Sequence, residues 1–136
     1  MRSNAMAPPL LGFDHIHVFV QDRAAAEAWY ARVMGLTRTP ELEFWADDGG
    51  PLTVQDADNT VHIALFERPH QKNRATVALR VSAEAFAHWR SHLTSFPDVS
   101  VSVEDHAVAM SLYFSDPDGN PYEITTYEYV AAKAGA

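Results

Sequence analysis

Apolar and polar positions follow one order of periods along this chain, and the order occurs twice. From Gly12 to Val20, Phe13, His15, His17 and Phe19 share one side of an extended segment, while Asp14, Ile16, Val18 and Val20 share the other. That alternation predicts a strand. Asp22 then caps a predicted helix that runs through Val33, with Ala25, Ala28, Trp29 and Val33 at core-facing spacings and Gly35 suited to end it. Thr37 to Trp45, Leu52 to Asp56 and Thr60 to Glu67 read as three more strands, separated by Asp47-Asp48-Gly49-Gly50 and Ala57-Asp58-Asn59 turns.

After a polar stretch from Arg68 to Ala75, the same order begins again. A strand from Thr76 to Val81 precedes a helix from Ala83 to Ser95, whose apolar stripe is Phe86, Trp89, Leu93 and Phe96. Strands at Val99 to Glu104, Met110 to Ser115 and Pro121 to Tyr129 complete it, the last two joined by the turn Asp116-Pro117-Asp118-Gly119-Asn120. Overlaying the two halves by element pairs His15 with Thr76 at an offset of 61 and Ala64 with Glu123 at an offset of 59. His15, Thr76, Ala64 and Glu123 thus take four equivalent positions, on strand faces opposite the aliphatic residues that pack under helices.

The expected organisation is a leader over residues 1–9, module one over 10–67, a linker over 68–75, module two over 76–130 and a frayed tail over 131–136. Ser3-Asn4-Ala5 before Met6 reads as the remnant of an expression tag. With 136 residues, of which 47% are hydrophobic, the chain is sized for one domain with a substantial core. A net charge of −8 without any Lys/Arg cluster argues against nucleic-acid and anionic-membrane partners. No apolar run approaches the roughly 18 residues needed to span a bilayer, and the cytoplasm is the expected location. Without cysteine, any metal must be held by imidazole and carboxylate.

Asp14-His15-Ile16-His17-Val18-Phe19-Val20, Trp29-Tyr30 followed by Gly35-Leu36, and the stretch from Tyr113 through Asp116-Pro117-Asp118-Gly119-Asn120 to Glu123 resemble the vicinal oxygen chelate superfamily. Glyoxalase I, bleomycin-resistance proteins, fosfomycin-resistance enzymes and extradiol dioxygenases belong to that group. The resemblance implies an α+β fold of two βαβββ modules whose mixed sheets curve into a cup, with helices packed outside. It also implies a divalent metal, Fe2+, Mn2+, Zn2+ or Ni2+, and ligand positions that fall on His15, Thr76, Ala64 and Glu123. Thr76 and Ala64 depart from the pattern, because a hydroxyl is a poor neutral ligand and a methyl is none. His62, two residues before Ala64 and about 7 Å along the same face, is the candidate third ligand, giving a set of two imidazoles and one carboxylate.

His106 and Tyr113 occupy a segment similar to the one before the final Glu of extradiol dioxygenases, which implies roles in positioning substrate oxygens and moving protons. Arg80, on the Thr76 face, is suited to bind a substrate carboxylate or to form a salt bridge. Thr76, His17, Phe13 and Trp45 complete the expected substrate lining, with Phe19 and Phe66 as further apolar candidates. His88 and His92, four apart on a helix, read as exposed. Two functions remain open. One is a metal-dependent small-molecule enzyme of dioxygenase-like or glyoxalase and lyase-like chemistry, expected to be a homodimer that completes or covers the cup. The other is a metal-free binding or sequestration protein of the bleomycin-resistance kind.

Overall fold

The computed structural model describes residues 7–135, so the proposed tag remnant and the last residue of the tail lie outside it. Module one consists of β1 (Ile16–Val20), α1 (Arg23–Trp29), β2 (Thr37–Arg38), β3 (Leu52–Gln55) and β4 (His62–Glu67). Module two repeats it with β5 (Val77–Arg80), α2 (Ala83–Thr94), β6 (Ser102–Asp105), β7 (Met110–Ser115) and β8 (Pro121–Thr126), followed by α3 (Tyr129–Ala134). The modules form four-stranded mixed sheets of matching order, β1-β4-β3-β2 and β5-β8-β7-β6, in which the first pair is parallel and the others antiparallel. Ile16 lies beside Ile63, and Val77 beside Tyr122. These pairs agree with the two offsets found in the sequence.

Alternation within each strand builds the core. Val18 and Val20 of β1, Ile63 and Leu65 of β4, Leu112 of β7, and Tyr122 and Ile124 of β8 are buried in one apolar cluster with Trp29, Val33, Phe86 and Leu93 from the helical segments. The opposite face of β1 carries exposed His17 and half-buried Phe19, and that of β5 carries exposed Ala78 and Arg80. Asp22 caps α1 by accepting from the Ala25 amide, and Ser82 caps α2 through Ala85. Beyond Trp29 the helix widens into a π-helical turn over Tyr30–Met34 and stops at Gly35, whose φ of 70° is left-handed.

Three expectations are corrected. The strand foreseen from Gly12 begins at Ile16, because β4 starts at His62 after the left-handed Asn59 and offers no ladder partner further back. The strand foreseen from Thr37 to Trp45 ends at Arg38. Pro40, with no amide proton for a ladder, opens a 3-10 helix over Pro40–Asp48 that places Trp45 on a helical surface. The final strand ends at Thr126, and the residues foreseen as its end and a frayed tail form α3. That helix is tied to β6 by Tyr129 and Lys133, both donating to Asp105, whose carboxyl is lowered to about 2, chiefly by Lys133.

Module one meets module two through buried polar groups. Tyr30 donates to Asp116 at 2.6 Å and its hydroxyl lies 2.9 Å from that of Tyr122. Burial drives both phenols far above their ordinary range, so they act as neutral donors. Asn120 donates to both Asp116 and the Phe19 carbonyl, while linker residue Asn73 accepts from the Phe19 amide and donates to the His17 carbonyl. The free edge of β1 is thereby covered by two asparagines. Tyr30→Phe is expected to destabilise the fold by about 2 kcal/mol, the scale of a lost hydrogen bond to a charged group, read as a lower urea midpoint at unchanged slope.

Candidate functional site

Period-two alternation sends the imidazoles of β1 and the carboxylate of β8 away from the aliphatic core. Just before β1, His15 donates through Nδ1 to Asp14 at 2.7 Å and places Nε2 3.0 Å from Nε2 of His17. The two rings stack with centroids 4.9 Å apart and planes 24° from parallel. His17 also packs on Phe66 at 4.6 Å, and Phe66 meets Phe19 at 6.2 Å. A cavity of about 160 Å³ lies beside His15, lined also by Trp45, Thr53 and His62. His62 uses Nε2 as a donor to Asn59 at 2.5 Å.

On module two, Glu123 sits between Ala78 of β5 and Tyr113 of β7 in the sheet register. Ser111, fully buried, donates to Glu123 at 2.7 Å and lies 3.0 Å from the Thr125 hydroxyl, so one carboxylate oxygen is held in place. The Tyr113 hydroxyl lies 3.0 Å from Nε2 of His106, with the rings edge to face. Desolvation raises the Tyr113 phenol above its ordinary value, and the charge of Glu123 raises it further. Arg80 is exposed, with its guanidinium 6.0 Å over the ring of Tyr127.

Two groups from the sequence are therefore brought together: His15 with His17, Trp45 and His62, and His106 with Tyr113 beside Glu123. The set of His15, His62 and Glu123 is not. Among the described residues no three His, Asp or Glu side chains lie close enough to hold a metal ion. The four positions implied by the family pattern do not close a ligand set within one chain either, since Thr76 is exposed ahead of β5 and Ala64 offers only a methyl. Phe13, expected to line a cavity, is 97% exposed on the segment before β1, because that segment has no strand beside it. His88 and His92 are exposed as expected, and His92 is spent on the Val33 carbonyl.

Four participants were not foreseen. Asp14 orients His15, Ser111 holds Glu123, and Asn73 and Asn120 fix the backbone of β1. Ser111 carried a readable signal, being two residues from Tyr113 and so on the same strand face. Asn73 carried none, because its partners are 56 and 54 residues away.

The Glyoxalase/Bleomycin resistance protein/Dioxygenase superfamily model matches residues 12–124. Comparison with curated proteins gives no significant match. Among solved structures, a putative glyoxalase family protein from Bacillus anthracis superposes with a TM-score of 0.69 at 25% identity, covering 90% of this chain and 99% of its own. The fosfomycin resistance protein FosX from Listeria monocytogenes, in complex with Mn(II) and 1S,2S-dihydroxypropylphosphonic acid, gives 0.70 at 16% identity, covering 87% and 93%. Lactoylglutathione lyase from Agrobacterium tumefaciens gives 0.66 at 19%, covering 88% and 96%. The likenesses at 16% and 19% identity speak to the fold alone, whereas the family match spans most of the sequence and both modules. The chain belongs to the glyoxalase/bleomycin resistance protein/dioxygenase superfamily.

Proposed function

We propose that the protein is a small-molecule enzyme acting on a substrate with two adjacent oxygens, in which His106 and Tyr113 move protons beside Glu123. The observation that carries this reading is the 3.0 Å contact between His106 and Tyr113, next to a carboxylate at the family's eighth-strand position. Tyr113, a neutral phenol, donates to a substrate oxygen or relays its proton, and His106 accepts from or returns a proton to Tyr113. Glu123 keeps its orientation through Ser111. Arg80 binds a substrate carboxylate, with Thr76, His17 and Trp45 as further lining.

The active unit in this reading is a homodimer. Module one of one copy faces module two of the other, so that His15 meets Glu123 of a second copy. Support comes from the exposure of His15 and His17 on module one and of Ala78 and Arg80 on module two, and from Leu10, Leu11 and Phe13 ahead of β1, three large apolar side chains without cover. A divalent ion held by His15 and Glu123, Fe2+, Mn2+, Zn2+ or Ni2+, would supply Lewis acidity toward the two substrate oxygens. FosX, solved with Mn(II) and a dihydroxypropyl phosphonate, is consistent with a vicinal-oxygen substrate. Ring-cleaving dioxygenase chemistry is the first subclass, on the strength of His106 and Tyr113, and glyoxalase or lyase chemistry the second. Thr76 and Ala64 favour a second reading, metal-free binding of an aromatic or amphipathic ligand. In both readings the protein is expected in the cytoplasm. Among the described residues no helix is long and apolar enough to cross a membrane.

Tag-free protein loaded anaerobically with each metal, then given catechols with labelled dioxygen or hemithioacetals of α-ketoaldehydes, tests the assignment. Turnover is expected, with His106→Ala and Tyr113→Phe each lowering kcat by ~10²-fold or more. Tight ligand binding with no turnover under any loading would establish sequestration instead. In a separate titration, Glu123→Gln is expected to lower the Tyr113 phenol toward its ordinary value, by removing a negative charge that opposes ionisation. Ultraviolet difference spectra of the variant, corrected with Tyr113→Phe, read that shift. An unchanged titration would mean that the two groups are not electrostatically coupled.

A further inference from the structure

We propose that Asp105 is a positioning residue for His106: anchored by Tyr129 and Lys133 of α3, it locks the turn between β6 and β7 in the conformation that delivers His106 to Tyr113. The proposal deepens the functional reading above and rests on its assignment of proton transfer to that pair. Asp105 lies opposite Met110 in the sheet register, and the residues between them form the turn, closed by the His106 amide donating to the Ala109 carbonyl at 2.8 Å. His106 is exposed there, so burial does not hold its ring 3.0 Å from the Tyr113 hydroxyl. Its direction has to come from the backbone.

That backbone is unusual. Among the described residues, Asn59 and Ala107 alone join a side chain to a positive φ, and Ala107, at 71°, lacks the short polar side chain that helps asparagine into this region. A bond from outside the residue must hold it there. Asp105 supplies one, its Oδ1 accepting the Ala107 amide at 2.9 Å, and because that bond spans His106 it restrains the backbone of His106 as well. The carboxylate is in turn fixed by α3: the Tyr129 hydroxyl lies 2.8 and 3.0 Å from its two oxygens, and Lys133 donates to Oδ2 at 2.5 Å. That helix is seated in the core through buried Ala132 and half-buried Tyr129. Core packing thus reaches an exposed imidazole through one carboxylate. Lys133 first, then the Ala107 amide and Tyr129, lower the Asp105 carboxyl to about 2, so it accepts as a carboxylate throughout the neutral range.

Protein carrying isotope-labelled histidine and tyrosine reads the contact directly, through nuclear magnetic cross-relaxation between the His106 and Tyr113 rings, and steady-state kinetics reads its consequence. The wild type is expected to show the ring-to-ring signal. Asp105→Ala is expected to abolish it and to lower kcat at least about tenfold with KM little changed. Asp105→Asn, whose amide oxygen still takes the Ala107 amide, is expected to retain most of both. Tyr129→Phe keeps its ring on the core and loses the hydroxyl, and a partial loss is expected. Circular dichroism and thermal midpoints establish that each variant is folded, and Tyr129→Phe carries the test if Asp105→Ala is not. No signal in the wild type, an undiminished one in Asp105→Ala or Tyr129→Phe, or equal loss in Asp105→Ala and Asp105→Asn would overturn the proposal. Loss of the signal in Asp105→Ala of a protein that turns nothing over would leave the positioning role standing and remove the enzyme reading. Turnover that survives together with the signal in Asp105→Ala would do the reverse.

Discussion

The buried hydroxyl of Tyr30 is the joint on which the arrangement of this molecule depends. It leaves the helical segment of module one and donates to Asp116, the first residue of the turn that launches β8. Asp116 also gathers the amides of Asp118 and Asn120, and Asn120 reaches on to the Phe19 carbonyl of β1. A carboxylate with so many donors is held without a cation, and each donor comes from a segment that must be in its native place. The same turn sets where Glu123 stands, three residues beyond Asn120, which meets β1.

Strand alternation divides each sheet that this joint brings together into two faces. The aliphatic faces of both sheets are used in the shared core with the helices, which leaves the imidazoles of β1 and the carboxylate of β8 on the outer faces. Each face is furnished with its own positioning contacts, Asp14 for His15 and Ser111 for Glu123. Among the described residues neither face holds three ligating side chains by itself. Both surfaces are partly equipped, and the exposed apolar side chains of Leu10, Leu11 and Phe13 lie ahead of β1.

The paired modules were legible because burial imposes a period of two on strands, and because the offsets of 61 and 59 needed only element order to be seen. The strand position of Glu123 was legible from its turn, and the closeness of His106 and Tyr113 from the segment they share. Elements set by a single backbone property were misread: Pro40 turned an apparent strand into a 3-10 helix, and the docking of Tyr129 and Lys133 on Asp105 made a helix of an expected frayed tail. The convergence of His15 and His17 could not be read either. Alternation places them on one face, but only the ring orientations decide whether their nitrogens meet.

Mixing two inactive variants tests directly whether His15 and Glu123 act across copies. His15→Ala and Glu123→Gln, each purified alone, are expected to lose high-affinity metal binding and turnover. Co-refolded as a mixture, they should form mixed dimers in which one of the two cups regains both residues, restoring about a quarter of the wild-type sites. Mixed dimers demonstrated by mass spectrometry but without recovered metal binding or turnover would contradict a site built from two copies.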